Sequence, residues 1–164
     1  MGDNINRFRA VRDALKRLYP TEPRGNLARH LSVLAALISG IAGSKSVNLP
    51  EIAKKTPDTT KAESRVKRFS RWINNESVDF EIYFLPFVKP LLASLAHAPL
   101  ALIMDGSEAG CNCLALMVSV AYKGRSLPIA WVVVTGSKGH FPEDIHVTLL
   151  EQVHTLIPEG AQVI

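Results

Sequence analysis

Asp105 directly follows the apolar run Leu102-Ile103-Met104 and precedes Gly106-Ser107. An ionised carboxylate beside a sheet interior costs several kcal/mol unless it is paired or bound to a metal. Two-metal phosphodiester chemistry uses clustered carboxylates to hold divalent ions ~4 Å apart across the reacting phosphate. The other reading of Asp105 is that it opens an Asp105-Gly106 turn, an ordinary role for aspartate. Position alone does not separate the two.

Other reactive side chains carry less. Glu108 lies three residues on, within the turn that this reading places there. His140 follows Lys138-Gly139 and reads as an exposed loop histidine rather than a phosphate ligand. Cys111 and Cys113 would share one strand face, and two thiols make an incomplete zinc site. Trp131 reads as core.

The segment 60–75 is richer. At ~100° per residue, Ala62, Val66, Phe69 and Ile73 gather on one side. Lys61, Ser64, Arg65, Lys67, Arg68 and Arg71 occupy the rest, and Trp72 lies at the border, to pack or to touch a sugar. Thr60 and Glu63 match a capping box that would start the helix. A short helix over 49–55 and a loop with Pro57 precede it, which gives a helix–turn–helix outline. A basic face beside such a turn is the electrostatic footprint of phosphate contacts, and the alternative is a solvated amphipathic helix.

Residues 1–98 must position that face, and they read as helices. Phe8, Val11, Ala14, Leu15 and Leu18 recur at helical spacing before Pro20. Residues 27–41 form a helix apolar nearly all round, stopping at Gly40 and Gly43, as the central helix of a bundle would. A last helix covers 80–96, with Pro86 and Pro90 expected to kink or break it. After Pro99 the period changes. Residues 100–104, 114–122 and 127–134 read as strands, with Lys123-Gly124 as a hairpin link. Pro142-Glu143-Asp144 opens a helix bearing Ile145, Leu149, Leu150, Val153 and Ile157, and 161–164 begins a further strand. A half-built strand leaves sheet hydrogen bonds unsatisfied, so the chain reads as the first part of a longer protein, naturally truncated or excised.

The sequence has 164 residues, 47% hydrophobic and 21% charged, values that exclude a disordered, collagen-like or disulfide-stapled chain. The longest apolar run, 31–42, falls short of the ~20 residues that span a bilayer, and the polar N-terminus lacks a signal-peptide core. No membrane role and a cytoplasmic location are expected. Residues 1–100 hold 16 Lys/Arg against 9 Asp/Glu, a net +7; residues 101–164 hold 3 against 6, a net −3. Such an asymmetry suits a polyanion gripped by the first part and processed by the second.

Three strands, a helix and a fourth strand, the first three antiparallel, make the opening of a ribonuclease-H-like fold. The chain also resembles bacterial insertion-sequence transposases of the DDE type, in the group named for insertion sequence four. The resemblance is carried by Asp105-Gly106-Ser107, by residues 115–131 with Tyr122-Lys123-Gly124-Arg125-Ser126-Leu127-Pro128 at their centre, and by Lys138-Gly139-His140-Phe141. Upstream, Ser46-Val47-Asn48-Leu49-Pro50 and residues 64–75 continue it, so that it covers the chain from about residue 30 onward. It implies an all-α DNA-binding domain over 1–98 and an incomplete α/β ribonuclease-H-like domain over 99–164. It implies Mg²⁺-dependent cutting and joining of double-stranded DNA at transposon ends, and it allows a homodimer in the DNA complex. Of the family's acidic triad only Asp105 has a counterpart, as catalytic and metal-binding residue; the second acid is expected just beyond Ile164 and the third far beyond. The chain alone is therefore expected to be inactive. Lys61, Arg65, Lys67, Arg68 and Arg71 are the expected DNA contacts. Two other readings stand beside this one: a non-catalytic DNA-binding fragment that inhibits transposition, and a ribonuclease-H-like nuclease of other specificity.

Overall fold

The computed structural model describes residues 2–136 and 141–164. It divides into two compact units, 1–87 and 88–164. The division falls eleven residues before the boundary read from the change of hydrophobic period. It lies inside a helix whose buried residues, Val88 and Leu92, fall on the second side.

In the first unit, α1 (Gly2–Leu18) has Asp3 in its first turn and Lys16 and Arg17 in its last, complementing the helix dipole. α2 (Gly25–Ser44) packs on α1, on α3 (Leu49–Lys55) and on α4 (Ala62–Ile73). The expected stop of α2 at Gly40 and Gly43 does not occur. The helix runs through both and ends at Lys45, whose left-handed φ of 53° lets its N–H bond to the Ile41 carbonyl. Gly40 is needed for packing instead: a Cβ there would lie 2.6 Å from Ile52 Cγ2 and 2.9 Å from the Ile52 carbonyl oxygen of α3. Ala36, Leu37, Ile52, Ala53 and Phe69 form the core of this unit, with Phe8, Val33, Leu49, Val66 and Trp72 against it.

At its full 20 residues α2 is long and apolar enough to cross a membrane by length and composition, a test that core helices also pass. Leu31, Ala35, Ala36, Leu37, Ser39 and Gly40 are buried in the bundle, while Ile38 and Ile41 are exposed. The segment expected as one helix over 80–96 is two. α5 (Phe80–Tyr83) is capped by the Asp79 carboxylate, which accepts from the Ile82 N–H at 2.7 Å, and α6 (Leu85–Leu95) contains Pro90.

The second unit holds a sheet of β1 (Leu102–Gly110), β2 (Cys113–Tyr122) and β3 (Arg125–Thr135) in the order β1-β2-β3, both pairs antiparallel. The connections are two-residue turns: Cys111-Asn112 with φ of 52° and 57°, and Lys123-Gly124 with 48° and 72°. Both residues left-handed is the arrangement whose twist matches a β-hairpin. A bulge between Val118 and Ser119 faces Ala130 and Pro128, the place where a residue without an N–H is tolerated. α7 (Glu143–His154) packs over β2 and β3 and buries Leu149 and Val153, while Leu150, expected on the same face, is half exposed. At the end of the chain, residues 162–164 lie parallel to 100–102. Leu100 N–H bonds to the Gln162 carbonyl at 2.8 Å, Leu102 N–H to Ile164 at 2.9 Å, and Ile164 N–H returns to Leu100 at 3.1 Å.

Candidate functional site

The α3–α4 turn is organised by Asp58, which sequence reasoning missed. Its Oδ1 accepts from the Thr60 N–H at 2.9 Å and the Thr60 hydroxyl at 2.5 Å, an Asx-turn arrangement. Arg65 Nη1 donates to the Asp58 carbonyl at 2.9 Å and to Oδ1 at 3.2 Å, and Arg68 Nη2 donates to Oδ2 at 2.6 Å. Burial pushes the Asp58 carboxyl upward. Hydrogen bonds from the Thr60 hydroxyl, Arg68, the Thr60 amide and Arg65 outweigh it and lower the pKa from 3.8 to about 2. The expected capping box is absent, because Thr60 donates to Asp58 and Lys61 takes the N-cap position without a side-chain cap. The signal was present as Asp58 two residues before Thr60, with arginines seven and ten positions on.

These contacts divide the five basic residues expected to touch DNA. Arg65 is only 13% exposed at its side chain and Arg68 40%, and both Nε atoms are buried without a partner. Lys61, Lys67 and Arg71 are exposed, and no carboxylate pairs with them among the described residues. The buried face of α4 is turned from the expected one toward Arg65 and Trp72. Phe69 is fully buried while Ile73 is 54% exposed and Ala62 is exposed. Trp72 packs edge-on to Tyr83 at 5.8 Å, and Tyr83 OH meets His30 Nδ1 at 2.7 Å, so this tryptophan belongs to the bundle. Burial raises the Tyr83 pKa, with the Tyr19 and Asp79 charges adding to it.

Asp105 lies within β1, not at a strand end or in a turn, because the hairpin turns only at Cys111-Asn112. It pairs with Met117, and Ile103–Ser119 and Ser107–Ala115 flank it on the same face. The opposite face carries Met104, Val118, Leu116 and Gly106. There a Cβ on Gly106 would meet the Phe141 ring at 2.8 Å. Glu108 pairs with Leu114 on that other face, so it cannot join Asp105 in a ligand set. Trp131, expected as core, pairs with Met117 on the Asp105 face and is 38% exposed. Cys111 sits in the turn and Cys113 opens β2, both as free thiols, with Cys113 Sγ donating to the Cys111 carbonyl at 3.6 Å. His140 lies outside the described residues.

Mg²⁺ takes several oxygen ligands in octahedral geometry. Among the described residues, no group of three His, Cys, Asp or Glu side chains converges anywhere, at Asp105 or elsewhere. The donor set present does not fit a two-metal centre. No family model, curated protein or solved structure matches the chain.

Proposed function

We propose that the helical unit binds duplex DNA through backbone phosphates, and that the chain is part of a DDE-type transposase of the insertion-sequence kind. The observation that carries the first half is the exposed, uncompensated set Lys61, Lys67 and Arg71 on the outer side of α4, second helix of the α3–α4 pair. Such cations release condensed counterions when they meet phosphates. The second half rests on the residue resemblance, with support from the meander, the helix that follows it, and the parallel start at 162–164 beside 100–102. That order is compatible with a ribonuclease-H-like domain in which Asp105 supplies one acid of a divalent-cation site. A cytoplasmic location and transposon-end DNA as partner belong to the same reading.

A second reading is a DNA-binding fragment that occupies transposon ends without cutting them. It is favoured by the isolation of Asp105 from other acids among the described residues. Fluorescence anisotropy of a labelled duplex titrated with the chain over a range of salt tests the shared part. The expected result is binding whose logarithm falls linearly with log salt, by ~0.9 per phosphate contact. Absence of binding at low salt would remove both readings.

A further inference from the structure

We infer that Asp58 is a positioning residue that engages Arg65 and Arg68 in ion pairs, leaving Lys61, Lys67 and Arg71 as the phosphate-contacting cations of α4. This rests on the DNA-binding reading and deepens it, because it says which half of the basic helix meets the polyanion. Both guanidinium groups are already committed. Arg65 is held at 2.9 Å by the Asp58 carbonyl and at 3.2 Å by Oδ1, Arg68 at 2.6 Å by Oδ2. Arg68 also lies over the Phe69 ring at 5.5 Å. A DNA phosphate would have to displace a carboxylate that is already close and charge-assisted, for no net gain in ionic contacts.

Helix geometry agrees with this division. At ~100° per residue, Arg65 and Arg68 fall toward Trp72 on the flank of the buried Phe69. Ser64, Lys67 and Arg71 fall on the outward side, with Lys61 at the N-cap. The acid on α4 is Glu63, which is exposed, and the neighbouring Lys54 of α3 is engaged by Glu51 at 2.7 Å. The occupant that fits Lys67 and Arg71 one turn apart on the outward side, with Lys61 exposed at the N-cap and a net +7 over residues 1–100, is the backbone of duplex DNA. Asp58 contributes by bracing α4 through its arginines and by turning the chain at Thr60. Its effect on DNA is therefore exerted through other residues.

The experiment compares salt slopes of duplex binding for wild type, the triple variant Lys61→Ala/Lys67→Ala/Arg71→Ala, the double variant Arg65→Ala/Arg68→Ala, and Asp58→Asn, with folding followed by circular dichroism. The triple variant should lose ~2–3 of the slope, at ~0.9 per cation, with an unchanged melting temperature. The double variant should melt lower and keep its slope while folded. Asp58→Asn retains the acceptor for Thr60 and removes the charge, so the freed arginines should steepen the slope by ~1–2. A slope that is unchanged or shallower in Asp58→Asn overturns the assignment without requiring the double variant to fold. A triple variant with wild-type slope does so too. Failure of wild type to bind any duplex at low salt overturns the DNA reading itself, an outcome distinct from both.

Discussion

A carboxylate between two arginines has a stability signature in acid. Because the Asp58 pKa is depressed to about 2 from 3.8, the folded state binds its proton less readily than the unfolded state does. The resulting stabilisation is complete above pH ~4, falls as pH drops toward 2, and is gone below that. With the side chain 27% exposed, solvent screening leaves this at about 1–2 kcal/mol. Urea denaturation of wild type and Asp58→Asn should therefore differ by about 1–2 kcal/mol at pH 7 and converge near pH 2. The absence of a gap at any pH would mean that Asp58 acts through its Asx turn, which asparagine keeps, rather than through its charge. A lone Asp two residues before a Thr is a legible turn signal. That it also gathers Arg65 and Arg68 was hidden, because seven and ten positions along a loop-then-helix path do not fix a distance. The same blindness placed all five cations on one DNA face.

Elements were more readable than their edges. The 3.6-residue period located α1 and α4, the continuous apolar run located α2, prolines bracketed α3, and valine-, isoleucine- and leucine-rich runs located the strands. Glycine and aspartate misled where a local rule met a tertiary need. Gly40 looked like a stop, yet the helix continues because α3 crosses where only a hydrogen fits. Asp105-Gly106 looked like a turn, yet β1 continues to Gly110, and the left-handed residues at this hairpin are Gly110, Cys111 and Asn112, of which only Cys111 is unusual there. Gly40→Ala puts two effects in opposition. Helix propensity favours alanine by ~1 kcal/mol. Overlap with the Ile52 side chain and carbonyl, which cannot both move without shifting α3, costs ~1–3 kcal/mol. Packing should win, and the variant should melt below wild type with its circular dichroism spectrum preserved. A higher melting temperature would show that α2 and α3 slide apart at little cost.

At the scale of the whole chain, a basic helical unit and a sheet bearing Asp105, the acid of the proposed divalent-cation site, do not by themselves amount to a working enzyme. The charge split of +7 and −3 was readable directly, and so was the succession of helices and then strands. What composition does not show is convergence. The register alone separates Asp105 from Glu108 across the sheet, and it sets Asp105 beside Met117 and near Ile103 and Ser107, none of them a strong ligand for a hard cation. A single carboxylate leaves a Mg²⁺ ion with most of its water shell and little reason to stay. Calorimetric titration of residues 1–164 with Mg²⁺ should therefore show no binding tighter than that of an exposed carboxylate. Duplex DNA incubated with this chain and Mg²⁺ should stay intact while still being retained in a binding assay. Asp105→Asn should leave DNA affinity and its salt slope unchanged, because Asp105 lies in β1 and the proposed phosphate contacts lie in α4. Mg²⁺-dependent nicking by wild type that disappears in Asp105→Asn would show that further ligands reach Asp105 from residues not described, or from a second copy of the chain. Weakened DNA binding in Asp105→Asn would instead make the Asp105 face part of the DNA surface.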